Sequence, residues 1–190
     1  MKNILYTIIL SFLFSSSVFA DFQAGVDAYD AGDYATALKN WKPLAEQGDV
    51  RAQMNLGTMY DSGEGVTQDY KEAAKWYRLA AEQGDVKAQY NLALMYANGL
   101  GVTQDDKEAV KWYRLAAAQG QAEAQYNLAL MYEDGLGVTQ DDKEAVKWYR
   151  LAAAQGQADA QFNLALMYED GRGVTQDDKE AVKWYRLAAA

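Results

Sequence analysis

Trp76, Trp112, Trp148 and Trp184 stand at a constant spacing of 36 residues, and whole phrases travel with them. GVTQDDKEAVKWYRLAAAQGQA begins at Gly101 and again at Gly137, and most of it returns from Gly173. NLALMY recurs at Asn91, Asn127 and Asn163, with the variant NLGTMY at Asn55. A period of this length restricts the chain to a stack of supersecondary units, each burying an apolar face that it cannot bury alone. Copies this similar point to duplication within the chain.

Each unit reads as two helices. In the second full unit, Asp85 is placed as an N-cap, and Ala88, Leu92, Met95 and Tyr96 follow at helical spacing. Asn98-Gly99-Leu100-Gly101 then ends this helix A, because glycine accepts the left-handed backbone of a helix end. Helix B begins at Asp105, with Glu108 three residues on in the pattern of a capping box. It carries Ala109, Trp112, Tyr113, Ala116 and Ala117 on one face and stops at Gly120. Small alanines opposite large aromatics let helices approach closely. This predicts an all-α chain, an α/α solenoid of helix-turn-helix repeats, with the Trp-Tyr series in its core.

The start of the array differs. Between Gly25 and Trp41 there is one tight break, Asp30-Ala31-Gly32-Asp33, and the distance from Tyr29 to Trp41 is four residues less than that from Tyr60 to Trp76. The reading is therefore a segment 1–20, a short capping hairpin over 21–47, and repeats over 48–83, 84–119, 120–155 and 156–190.

The unit pattern is A-x-x-x-L-A/G-x-M-Y, a G-x-G-V loop, then D-x-K-E-A-x-K-W-Y-x-x-A-A-x-Q-G. Its loops are Gly63-Glu64-Gly65-Val66, Gly99-Leu100-Gly101-Val102, Gly135-Leu136-Gly137-Val138 and Gly171-Arg172-Gly173-Val174. Over residues 48 to 190 the chain resembles the Sel-1-like repeat family, and the shorter hairpin before it resembles a plain tetratricopeptide hairpin. The resemblance implies a right-handed α/α superhelical solenoid of tetratricopeptide-like repeats that mediates protein–protein contacts. A cysteine-rich secreted branch of the family is associated with binding penicillin-like compounds. This chain lacks every cysteine of that branch, so the activity is not carried over.

Composition narrows the chemistry further. With no cysteine and no histidine there is no disulfide, thiolate nucleophile, imidazole base or zinc site of the usual ligands. A net charge of −9 argues against nucleic acid as a partner. The G-x-G-V loops lack the strand, third glycine and lysine of a phosphate cradle, and the acidic loop from Glu133 to Asp142 lacks the spacing of an EF-hand. No cofactor and no metal are expected. Carboxylates repeated in three units argue for a scaffold, since a catalytic site would be unique.

Residues 1–20 read as an address. Lys2, the apolar run from Ile4 to Phe14, and Val18-Phe19-Ala20 have the layout of a cleavable signal peptide with a cut after Ala20. No later segment approaches the length of a membrane span. The expected location is periplasmic or secreted, with no stable membrane span after cleavage.

In tetratricopeptide-like arrays helix A lines the concave face. On that register the candidate groove comprises Arg51, Met54, Lys87, Tyr90, Leu94, Glu123, Tyr126, Leu130, Asp159, Phe162 and Leu166. Tyr90 and Leu94 share a helix face, and their copies would form an aromatic-aliphatic stripe suited to a protein or peptide partner. The alternative is that these side chains pack against helix B. Arg51 and Lys87 give way to Glu123 and Asp159, joined by Glu133 and Glu169, so the groove would run from basic to acidic. Two other functions remain open at this point: a cell-wall or β-lactam-related hydrolase, and a structural module self-associating through the last repeat, where Ala181, Trp184, Tyr185 and Ala188 have no following helix in the sequence.

Overall fold

The computed structural model describes residues 22–189; the expected signal peptide and its cut after Ala20 lie outside the described residues. Among the described residues there are helices and turns and no strand. Two compact units divide between Asp85 and Val86. The first holds α1 (22–30), α2 (Tyr34–Glu46), α3 (Val50–Ser62) and α4 (Tyr70–Glu82). The second holds α5 (Val86–Asn98), α6 (Asp106–Ala118), α7 (Ala122–Asp134), α8 (Asp142–Ala154), α9 (Ala158–Asp170) and α10 (Asp178–Ala188). In this second unit α5 packs on α6, α7 on α8 and α9 on α10, while α6–α7 and α8–α9 join consecutive repeats. This is the all-α solenoid of helix pairs that the period demands.

Local chemistry sets the helix ends. Asp105 has extended backbone, and its carboxylate accepts from the Lys107 and Glu108 amides at 3.0 and 3.1 Å. Such a cap contributes about 1 kcal/mol. The reciprocal half of the capping box is absent: the Asp105 N–H donates to the Tyr96 carbonyl, and Glu108 pairs with Lys111 at 3.1 Å instead. At the other end, Gly135 adopts φ 70° and the Leu136 amide folds back to the Met131 carbonyl at 2.9 Å. A left-handed glycine there lets the chain reverse without strain.

Packing follows the alanine-aromatic pattern, with one correction. Ala109, Ala116, Ala145, Ala152, Leu128 and Leu164 are fully buried, as is Tyr149. Trp76 and Trp112 are buried, but Trp148 and Trp184 are only partly so. In each copy the preceding lysine lies over the indole ring, Lys111 at 5.2 Å from the Trp112 centroid. Trp148 and Trp184 thus line the margin of the core, and their aliphatic-cationic neighbours lie over them.

The capping hairpin is in a different register from the tryptophan series. Gly25 faces Trp41 as Gly57 faces Tyr77; a Cβ on either glycine would collide with the ring. Trp41 therefore takes the place of the tyrosine of later repeats, and its indole donates to the Phe22 carbonyl at 3.1 Å. The four-residue shortening is real, but Tyr29 stands where Asp61 stands in the next repeat.

Buried glutamines supply a tie that the sequence pattern did not reveal. Gln125 donates to the Ala117 carbonyl at 3.0 Å and accepts from Gln155 at 2.8 Å. Gln53 does the same with Ala45 and Gln83 at 3.0 and 2.8 Å. Each glutamine satisfies the end of the preceding helix B, where a carbonyl has no helical partner.

Candidate functional site

The candidate groove residues divide by exposure. In the second unit Tyr90, Leu94, Tyr126 and Leu130 are half-buried, whereas Phe162 and Leu166 are 48% and 36% exposed. Lys87, Glu123 and Asp159 are exposed. In the first unit Met54 is half-buried and Arg51 exposed. Both readings of the aromatic stripe hold in part. Tyr90 packs on Tyr113, Tyr126 on Tyr149 and Phe162 on Tyr185, with ring centroids 6.0, 6.0 and 5.4 Å apart. These helix-B tyrosines form a floor, and the helix-A aromatics lie on it with one edge to solvent.

The expected run from basic to acidic charge is weakened by internal pairing. Arg51 bonds Asp49 at 2.8 Å, and its guanidinium sits 4.0 Å from the centroid of Phe22. Glu133 accepts from Tyr149 at 2.5 Å and pairs with Arg172. Glu169 accepts from Tyr185 at 2.5 Å. The free charges beside the stripe are therefore fewer than the sequence alone counts.

The decisive variation lies at the junctions, where the last turn of one helix A meets the middle residue of the next G-x-G loop. At the third-to-fourth junction Glu133 reaches Arg172, and the Arg172 Nη2 also approaches the Met167 sulfur at 3.2 Å. At the second-to-third junction Ala97 and Leu136 hold the same two places. A cleft of about 410 Å³ opens there, lined by Leu94, Ala97, Tyr113, Asn127, Leu130 and Leu136, with Asp106 and Asp134 among its polar edges. In the first unit, Tyr29 and Glu64 occupy these positions and hydrogen-bond to each other. A cleft of about 350 Å³ there is lined by Phe22, Val26, Tyr29, Trp41, Asn55 and Thr58, of which Val26, Tyr29, Trp41, Asn55 and Thr58 are counterparts of Leu94, Ala97, Tyr113, Asn127 and Leu130.

Proton affinities record these differences. Burial pushes the Tyr113 hydroxyl well above its ordinary range, and no carboxylate among the described residues accepts from it. Burial likewise raises Tyr149, and the Glu133 carboxylate raises it further. Burial, then Glu169, lift Tyr185 to about 12. Tyr29 is held at about 12, first by its hydrogen bond to Glu64 and then by burial. Glu64 is lowered in turn, chiefly by that same bond. These are hydrogen-bonded or buried phenols that stay neutral. Among the described residues no group of three or more acidic side chains gathers to hold a metal ion, and no helix is long and apolar enough to cross a membrane.

Tyr113 and Tyr149 of helix B are buried, as the sequence pattern has them, and with the asparagines of NLALMY they support this surface from beneath. Asn163 donates to Tyr149 at 3.1 Å. The available signal was the variation of Asp61, Ala97, Glu133 and Glu169, and of Glu64, Leu100, Leu136 and Arg172, within otherwise repeated phrases.

Comparison with known proteins agrees with this geometry. The Sel1 repeat family model matches residues 50–85, 86–121, 122–157 and 158–190. A protective antigen of uropathogenic Escherichia coli strains, whose crystal structure displays an SLR fold, is 39% identical with a TM-score of 0.88. That alignment covers 92% of this chain but 38% of the antigen. A Sel1 repeat protein from Oxalobacter formigenes is also 39% identical, with a TM-score of 0.84, over 88% of this chain and 69% of its own. Helicobacter pylori cysteine rich protein B shares the fold at 22% identity and a TM-score of 0.52, over 64% of this chain and 87% of its own. No curated protein sequence matches the chain.

Proposed function

The chain belongs to the Sel1 repeat family, and on that premise we propose that it is an exported, non-catalytic scaffold that binds a protein or peptide along its helix-A face. Sel1 repeats generally bind proteins, and proteins of this family are often secreted or periplasmic. The observation that carries the reading is the recurrence of Tyr90, Tyr126 and Phe162 on a floor of helix-B tyrosines, each with an edge open to solvent. Aromatic rings of this kind supply contact area at low conformational cost and dominate binding surfaces. Support for export comes from the signal-like pattern of residues 1–20. The absence of imidazole and thiol, and phenols held neutral by burial and hydrogen bonds, favour holding over turnover.

The test pairs capture with folding. Tyr90→Ala combined with Tyr126→Ala should abolish capture of partners from a periplasmic extract while helical circular dichroism is retained. Undiminished capture by the folded double variant would overturn the helix-A face as the binding surface. Export is tested by mass spectrometry of the secreted-fraction protein, which should begin at Asp21. Steady hydrolysis of nitrocefin by the pure protein would replace this reading with the hydrolase.

A further inference from the structure

We infer that the cleft between the second and third repeats is an anchoring pocket for one large apolar side chain of a peptide, flanked in that peptide by a basic residue. This deepens the binding reading above and rests on it. The starting point is an internal comparison. The loops before α6 and α8 and the helices after them carry the same letters, so backbone and floor are repeated. What differs is the pair bridging the junction and, beside it, Asn98 against Asp134. At the third-to-fourth junction the Glu133 carboxylate, the Arg172 guanidinium and the Tyr149 hydroxyl are joined together. At the second-to-third junction a methyl group replaces the carboxylate and an isobutyl group replaces the guanidinium stem.

Three properties of the opened cleft select its occupant. Leu94, Ala97, Leu130 and Leu136 make its walls apolar, and Leu136 is 45% exposed although it is a leucine. A volume of about 410 Å³ lies within the range of ligand-binding pockets. The charged lining residues are Asp106 and Asp134, with no lysine or arginine among them. An occupant with a neighbouring cation is therefore favoured over one with an anion. The next junction provides a precedent within the molecule, because there the aliphatic stem and cationic tip of Arg172 occupy the corresponding place. Tyr113 completes the site as its floor, lining the cleft beside Asn127.

The full mature chain, labelled with 15N, would be titrated with a decapeptide of glycine and serine carrying Arg-Leu-Arg at its centre. Amide shifts are expected at Leu94, Ala97, Leu130 and Leu136. Replacing the peptide leucine by serine, or its arginines by glutamates, should weaken binding about tenfold or more. Ala97→Glu with Leu136→Arg installs the pair that the chain already carries one repeat later, so this variant should fold and lose the shifts. Glu133→Ala with Arg172→Leu should create a second responding site around Leu130 and Leu166. No junction shifts with any peptide, equal affinity for the serine peptide, or unchanged binding by A97E/L136R would each overturn the pocket. Partner capture separates the two claims: capture lost in Y90A/Y126A yet kept in A97E/L136R overturns the pocket and leaves the helix-A face standing.

Discussion

The second-to-third and third-to-fourth junctions of the second unit are written in almost the same letters, yet one leaves a cleft and the other bridges it. Loops from Gly101 and Gly137 are identical through twenty-two positions. Both junctions place a helix-A ring on a helix-B tyrosine at 6.0 Å. They diverge at Ala97 with Leu136 against Glu133 with Arg172, and also at Asn98 against Asp134 and at Tyr126 against Phe162. A repeated framework thus keeps the backbone constant while a pair of side chains, distant in sequence, decides whether the junction is bridged. Repetition secures the fold, and departures from it mark where the surface is individual.

The strongest effect should be common to both junctions. Gly137 and Gly173 have φ of 69° and 66°, and a Cβ on either would overlap the main-chain carbonyl of Asp106 or Asp142. Gly137→Ala and Gly173→Ala should each lose about 3 kcal/mol, from left-handed backbone strain plus the overlap, with similar falls in thermal midpoint. A large difference between the two would show that the backbones are not equivalent.

Removing a hydroxyl should separate the junctions. Tyr149→Phe deletes a donor to a carboxylate and an acceptor for Asn163, so about 2 kcal/mol should be lost in denaturant unfolding. Tyr113→Phe, which breaks no bond to a carboxylate, should lose about 1 kcal/mol or less. Equal losses would mean that Glu133 contributes nothing through Tyr149.

A subtler contrast concerns charge. A double-mutant cycle of Glu133→Ala and Arg172→Leu should give a coupling of about 0.5–1 kcal/mol that shrinks with salt, because the Arg172 side chain is 42% exposed. A cycle of Ala97→Gly and Leu136→Ala, which involves no charge, should show no salt dependence. Salt-independent coupling at both would reduce the ion pair to packing.

Alkaline titration extends the comparison to the first unit with the least effect on stability. Tyr29 should ionise near 12 instead of its ordinary 10.0, read as the tyrosinate absorbance lost in Tyr29→Phe. A raised folded-state value means that the neutral phenol stabilises the unit. That contribution is complete below pH 10.0 and is lost as pH rises through about 12. Glu64→Gln should bring the midpoint down, and an unmoved midpoint would remove the Tyr29–Glu64 bond as its cause.

Much of this was legible in the letters. The period, the paired helices, the aspartate caps and the glycine stops are local or periodic signals, and the helices begin and end close to where those signals place them. The groove was legible in part: spacing put Tyr90, Tyr126 and Phe162 on one face of helix A, but not the tyrosines beneath them. Trp41 misled, because it shares a residue type with Trp76 while occupying the place of Tyr77. Glu133 seemed a free charge because its partner Arg172 lies in the next repeat. Gln125 carried no legible signal, because the Ala117 carbonyl and the Gln155 amide that saturate it come from neighbouring helices.

By itself the sequence determined the all-α repeat array, since a 36-residue period with capped apolar faces admits few other solutions. Helix boundaries and loop conformations also came from it, because a cap or a left-handed glycine acts within a few residues. Only the tertiary structure decided which junction is bridged and which stays open. That choice depends on side chains brought together from successive repeats, and their meeting is a property of packed helices that local chemistry does not encode.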